Sequence, residues 1–244
     1  MFHFKTSLLA GLMASALAVA SVQAATPDNM LVVAQNIDDI VTIDPASAYE
    51  FSSGEYVANT YDTLVRYDAA DTTVLAPALA TEWRVDADNK TVTFTLREGV
   101  TFHSGNPLRG EDVVGSWKRV VSLDKAPAFI LTQLGWTPDN IEQMVTAEGN
   151  TVTVRYEGDF APSFVLNVLA ARPASIVDMQ TVMANEVDGD MGHAWMNQNS
   201  AGTGPFALQS YRPAEILTLQ ANPDYYQGAP AMERVVIQHN PESA

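Results

Sequence analysis

The side chains that could do chemistry are few and scattered. The chain has no cysteine and four histidines among 244 residues. His103, His193 and His239 stand far apart, outside His-Glu-x-x-His or any comparable metal spacing. No Gly-x-Ser-x-Gly elbow offers a nucleophilic serine. Gly202-Thr203-Gly204-Pro205 lacks the third glycine and the Lys-Ser/Thr ending of a phosphate cradle, so it reads as a structural turn. Asp and Glu total 29, and a chain that acidic always holds pairs resembling an acid and a base. A glycosidase needs two carboxylates at a set separation across a sugar ring, which spacing along a chain does not encode. No catalytic residue, metal site or cofactor is assigned on these grounds.

The elements that must position any site are legible in outline. Residues 31–34 are a short apolar run and read as a buried strand. Asp44-Pro45 is a turn signal. Ser53 is placed as the cap of a helix over residues 55–65, with Val57, Tyr61 and Leu64 on one face. Residues 82–85 and 91–96 form a hairpin around residues 86–90, with Val92, Phe94 and Leu96 alternating with threonines. Residues 144–145 and 151–154 form a second around Glu148-Gly149-Asn150. The clearest helix begins near Glu111. Val113, Trp117, Val120 and Val121 share its apolar face, and the order of its charges suits the helix dipole. Further helices are expected over residues 162–170 and 174–186. Residues 206–210 and 215–220 pair as strands, and residues 235–237 form the last one. Such irregular alternation predicts a mixed α/β architecture.

Composition bounds the setting. Lys5, the uncharged apolar residues 8–20 and Val22-Gln23-Ala24 have the layout of a secretory signal cleaved near Ala24. The apolar stretch is shorter than the roughly 20 residues that cross a bilayer as a helix. No cysteine is present to carry a lipid after cleavage, so a freely soluble, periplasmic protein is expected. The formal charge of −16 repels phosphate backbones and argues against nucleic acid as a partner.

One stretch carries more than local conformation. Phe102-His103-Ser104-Gly105-Asn106-Pro107-Leu108-Arg109-Gly110-Glu111-Asp112-Val113 resembles the signature of family 5 extracellular solute-binding proteins, the peptide/nickel receptors of ABC importers. The family pattern is similar to F-H-D-G-x-P-L-T-A-x-D-V followed by S-x-x-R, here Ser116-Trp117-Lys118-Arg119. Leu79-Ala80-Thr81-Glu82-Trp83 with residues 93–100, Gly202-Thr203-Gly204-Pro205-Phe206 and Asn222-Pro223-Asp224-Tyr225-Tyr226 agree in order and spacing. Ser104, Arg109-Gly110 and Gly115 depart from the pattern. The signature residues themselves read as scaffold: Gly105 makes a turn and Asp112 favours a helix start.

The resemblance implies a type II (cluster C) periplasmic-binding-protein lobe. Residues 25–49 and 191–244 would carry its main sheet, and residues 50–190 an inserted subdomain. A second lobe, expected in such receptors, is not found among these residues, so the chain reads as a fragment. The implied function is capture of a peptide-like or other polar solute for an inner-membrane ABC permease, by a monomer without cofactor or covalent chemistry. Loops at strand ends facing the cleft are then the candidate ligand contacts. They are Tyr49, Glu50, Phe51, Ser52 and Ser53 after the first strand, and Thr132, Gln133 and Trp136 after the signature helix. Aromatics would wall the cleft, hydroxyls would bond a peptide backbone, and Glu50 would meet an amino terminus. Two other functions stay open: an exported hydrolase of glycans or peptides, and a periplasmic signalling or chaperone-like binding module.

Overall fold

The computed structural model describes residues 26–243. The expected export signal lies outside the described residues. From the amino end the elements are β1 (Met30–Gln35), α1 (Phe51–Thr60), β2 (Val65–Tyr67), β3 (Leu75–Pro77), β4 (Ala80–Asp86) and β5 (Thr91–Leu96). Then come α2 (Gly110–Leu123), α3 (Phe129–Thr132), α4 (Ile141–Met144), β6 (Val145–Glu148), β7 (Thr151–Arg155) and α5 (Pro162–Leu169). The chain closes with α6 (Met179–Ala184), α7 (His193–Met196), β8 (Phe206–Arg212), β9 (Ile216–Ala221) and β10 (Arg234–His239).

Two four-stranded sheets organise the molecule. One has the order β1-β10-β9-β8 and joins the two ends of the chain, with β1 parallel to β10. The other, β4-β5-β7-β6, is antiparallel throughout and follows the alternation of its sequence. Val92, Phe94 and Leu96 are buried while the intervening threonines are half-exposed, as a strand with one covered face requires. Strands β2 and β3 make a small separate ribbon. Each large sheet has its own apolar core. Val113, Trp117, Val120, Val121 and Leu169 pack with Phe94 and Val152 over the antiparallel sheet. Tyr56, Val57, Val182 and Met196 pack with Leu217, Leu219 and Ile237 of the other.

Helix α2 bears out the pattern of its apolar positions, and Asp112 does act at its start, where Oδ2 accepts from the Arg109 N–H at 2.9 Å. Gly115 in its interior is explained by close packing, since a Cβ there would sit 2.7 Å from Met179 Cγ. Ala in place of Gly ordinarily stabilises a helix interior by about 0.5–1 kcal/mol. At this site overpacking of about 1–3 kcal/mol should win. Gly115→Ala is therefore expected to lower the urea midpoint, and a raised midpoint would mean that Met179 moves aside freely.

Two helices differ from expectation. Helix α1 begins at Phe51 and ends at Thr60, not over residues 55–65. Ser53 is not its cap but lies in the first turn, donating its hydroxyl to Glu50 Oε2 at 3.2 Å. The helix stops early because the chain turns extended at Tyr61, and the Thr63 and Leu64 carbonyls instead accept from Leu79 and from Ala78 and Ala80. The helix expected over residues 174–186 is reduced to α6. Ser175, Ile176, Val177 and Asp178 before it are buried and belong to no helix or strand. The Ser175 N–H closes a local turn on Arg172 O, but the next three go to tertiary partners: Ile176 to Asp62 O, Val177 to Ser116 Oγ and Asp178 to Ala201 O. A chain buried on every side has no periodicity to reveal its conformation.

Candidate binding site

The loop after β1 is held from beneath by a buried ion pair. Asp44 and Arg119 are 0% and 1% exposed. Arg119 Nη1 and Nη2 donate to the two Asp44 oxygens at 2.7 and 2.6 Å, and its Nε donates to Met191 O at 2.8 Å. His193 Nδ1 donates to Asp44 Oδ2 at 2.8 Å. Burial pushes the Asp44 carboxyl up, but the bonds from Arg119 and His193 and the Arg119 charge outweigh it and hold it below its ordinary value. The arginine of the S-x-x-R element thus ties α2 to the β1 loop and to the segment before α7.

Beside that loop lies an open pocket of about 680 Å³. Tyr49, Tyr61, Asp62, Arg66, Arg172 and Tyr225 are among its lining residues. Asp62 gathers two motifs distant in sequence. Its Oδ2 accepts from Thr203 at 2.8 Å, and its Oδ1 from the Tyr225 and Tyr226 hydroxyls at 3.0 and 3.2 Å. Burial pushes the Asp62 carboxyl up, and these hydroxyl bonds partly restore it. The two tyrosine hydroxyls are pushed up by burial and by the Asp62 charge. Arg97 caps the group, 5.1 Å over the Tyr226 ring.

The glycines of the Gly202-Thr203-Gly204-Pro205 turn are there for contact. A Cβ on Gly202 would lie 1.9 Å from Thr60 O, and one on Gly204 2.6 Å from Thr60 C. The Gly204 N–H donates to Thr60 O at 3.1 Å, so the turn closes directly on the end of α1. The signature loop locks onto the same region. The His103 N–H donates to Gly202 O at 2.9 Å and His103 Nε2 to Gly204 O at 2.9 Å. Ser104 and Asn106 donate to Asp178 Oδ2 at 2.6 and 2.9 Å, while Asp178 Oδ1 caps α6 through the Thr181 N–H. In these contacts the signature acts as scaffold.

The expected contact residues divide sharply. Tyr49 lines the pocket, half-exposed, with its ring edge-on to Phe129 at 6.2 Å. Phe51 is 91% exposed at the start of α1. Glu50 accepts from the Tyr49 N–H and the Ser53 hydroxyl, so its carboxylate serves the turn. Ser52 donates its hydroxyl to Asn36 O and its N–H to Asp39 Oδ2, and Ser53 is fully buried. Thr132 is half-buried at the end of α3, and exposed Gln133 folds back on Ile130 O at 2.7 Å. Trp136 is corrected to a core residue. It is 1% exposed, stacked on Trp117 with ring centroids 5.5 Å apart, and its indole N–H is satisfied by Arg155 O at 2.8 Å. Asp62, Arg66 and Arg172 were not singled out from the sequence, because nothing local marks them as neighbours. Tyr225 and Tyr226 were seen as a motif without a role.

Among the described residues no cluster of three His, Asp or Glu could hold a metal, and no helix is long and apolar enough to cross a membrane. Comparison with known proteins gives a consistent set. The sequence profile of the bacterial extracellular solute-binding proteins, family 5 Middle, matches residues 74–244. The probable D,D-dipeptide-binding periplasmic protein DdpA of Escherichia coli K12 is 31% identical over 245 residues, covering 99% of this chain and 45% of that protein. The Helicobacter pylori periplasmic binding protein DppA, solved in complex with the peptide STSA, superposes with a TM-score of 0.70 at 27% identity, over 87% of this chain and 43% of that one. A nickel ABC transporter structure from Bacillus halodurans superposes with a TM-score of 0.64 at 27% identity, over 88% and 39%. The chain spans less than half the length of each of these relatives.

Proposed function

The chain belongs to the bacterial extracellular solute-binding proteins, family 5, and from that premise we propose that it captures a peptide-like solute in the periplasm for an ABC permease. In this reading the signal is removed near Ala24. Residues 25–49 and 191–244 carry the main sheet of the first lobe, and residues 50–190 form its inserted subdomain. The observation that carries the proposal is the pocket at the β1 loop, where half-exposed Tyr49 stands beside hydroxyl, carboxylate and guanidinium groups. An apolar wall with a few polar groups is the composition of a small-solute site. The binding of a tetrapeptide by the H. pylori relative and the naming of DdpA for D,D-dipeptides support peptides as the solute class.

Titration of the purified protein with di- and tripeptides, followed by NMR, tests it. Shifts should concentrate at Tyr49, Asp62 and Tyr225, without consumption of the peptide. Tyr49→Ala should weaken binding about 3- to 10-fold, the share of one aromatic contact. Hydrolysis abolished by one carboxylate substitution would favour the exported hydrolase instead. Partner capture from periplasm with no peptide shifts would favour a signalling or chaperone-like module.

A further inference from the structure

We propose that a second cavity, enclosed by the signature loop, α7 and strand β8, is a binding site for a neutral sugar ring. It shares no lining residue with the pocket at Tyr49, so it goes beyond the peptide reading and does not rest on it.

Three observations carry it. The first is composition. The cavity holds about 330 Å³, near the lower end of small-molecule sites. Half-buried Trp195 of α7 supplies an aromatic wall. Among the described residues no Asp, Glu, Lys or Arg lines it, although the chain carries 29 acidic and 13 basic residues. A charged ligand would lose water there without gaining a counter-charge, whereas a neutral polar one needs only hydrogen bonds. The second observation is how its polar groups are set. Ser104 donates its hydrogen to Asp178 Oδ2 at 2.6 Å, and Asn199 Nδ2 donates to Trp195 O at 2.9 Å. His103 Nε2 donates to Gly204 O, which makes Nδ1 the acceptor nitrogen of the ring. That Nδ1 is buried and has no partner among the described residues. Burial pushes His103 below its ordinary pKa, so the ring is neutral near pH 7. A buried acceptor without a partner carries a cost that a ligand hydroxyl would remove.

The third observation is the irregularity of β8, an edge strand of its sheet. Its register with β9 shifts between Leu208 and Ser210, which face Leu219 and Thr218, so Gln209 is an extra residue without a cross-strand partner. The Leu208 N–H donates to Ser200 Oγ at 3.3 Å, tying the bulged strand to the segment after α7. A bulge re-aims side chains, and this one sits where Gln209 and Ser210 line the cavity. Fixed acceptors below, an amide and a hydroxyl at the rim and an indole at the wall match a ring that has hydroxyl donors around its edge and C–H groups on its face.

The test titrates purified protein with glucose, N-acetylglucosamine and chitobiose, and with the charged sugars glucosamine and glucuronate. Binding is read by NMR at the Trp195 indole N–H and the His103 ring nitrogens. The neutral sugars should move both sets of resonances with a Kd of about 1–10 mM, and should bind at least about 10-fold more tightly than the charged ones. Chitobiose binding tighter than N-acetylglucosamine would assign the ring to the end of a glycan, and weaker binding to a free sugar; either supports the site. Trp195→Phe should weaken binding about 3- to 10-fold and Gln209→Leu about 3-fold, both leaving the peptide shifts at Tyr49 unchanged. Gln209 is exposed, so its variant keeps the test open if thermal melts show that Trp195→Phe fails to fold. No shift at Trp195 or His103 with neutral sugars up to about 50 mM overturns the inference. Equal binding of the charged sugars, or wild-type affinity in both variants, overturns it as well. Peptide shifts report on the other pocket alone, so each reading can fail without the other.

Discussion

Asp44→Ala should cost about 3–5 kcal/mol of folding stability, among the largest losses available to a single substitution in this chain. The cost comes less from the lost attraction than from what is left behind. Arg119 would keep its charge in a site where it is 1% exposed, with two of its donors unpaired. Removing one partner of a buried pair strands the other, whereas replacing both by apolar groups of similar volume is often tolerated. Asp44→Leu combined with Arg119→Met should therefore recover part of the loss. Urea denaturation of the two proteins checks both statements, and an Asp44→Ala loss under about 1 kcal/mol would mean that water reaches Arg119.

The pH dependence follows with a definite sign. Asp44 is held below its ordinary 3.8 in the folded state, so the unfolded chain takes up its proton first as pH falls. The stability it supplies is fully present above about pH 4 and is lost as pH drops through its folded value. Asp178 is shifted the same way: burial raises it, and the bonds from Ser104, Thr181 and Asn106 more than compensate. Below pH 4 the wild-type protein should lose stability more steeply than Asp44→Ala, since the variant lacks one of these groups.

Trp136→Ala should cost about 3–5 kcal/mol in stability, the range for deleting a large buried aromatic. The loss includes the stack on Trp117 and leaves Arg155 O without its indole donor. Tyr49→Ala, by contrast, removes a half-exposed ring and should change stability by less than about 1 kcal/mol while weakening peptide binding. The pair separates a core aromatic from a surface one. A Trp136→Ala protein with a wild-type melt and lost binding would return Trp136 to the cleft wall, against its burial.

Much of the fold was readable because it is built from local choices. The threonine alternation of β5, the apolar stripe of α2 and the turn at Gly149, with φ of 56°, each record the constraint that produced them. Ser53 shows the limit of that logic. A serine before an apolar run satisfies the rule for a cap, yet the chain had already entered the helix at Phe51. The segment from Ile176 to Asp178 shows another, since its N–H groups donate to residues 62, 116 and 201. Trp136 shows a third: an aromatic after a helix reads equally as wall or core, and only the neighbouring Trp117 ring separates the two.

Composition and pattern by themselves determined a mixed α/β chain without a metal spacing or nucleophile motif, and motifs in register with the solute-binding family. These depend on residues close in sequence, whose preferences survive without knowledge of the rest. The tertiary structure alone decided which residues meet around the candidate pocket. Parallel pairing sets Met30 against Arg234, and folding joins Asp44 to Arg119 and His193, and Asp62 to Thr203, Tyr225 and Tyr226. Such contacts form between charges and hydroxyls whose local conformation is compatible with many partners. Their meeting is settled by how the two sheets and their helices pack, which no short stretch of sequence contains.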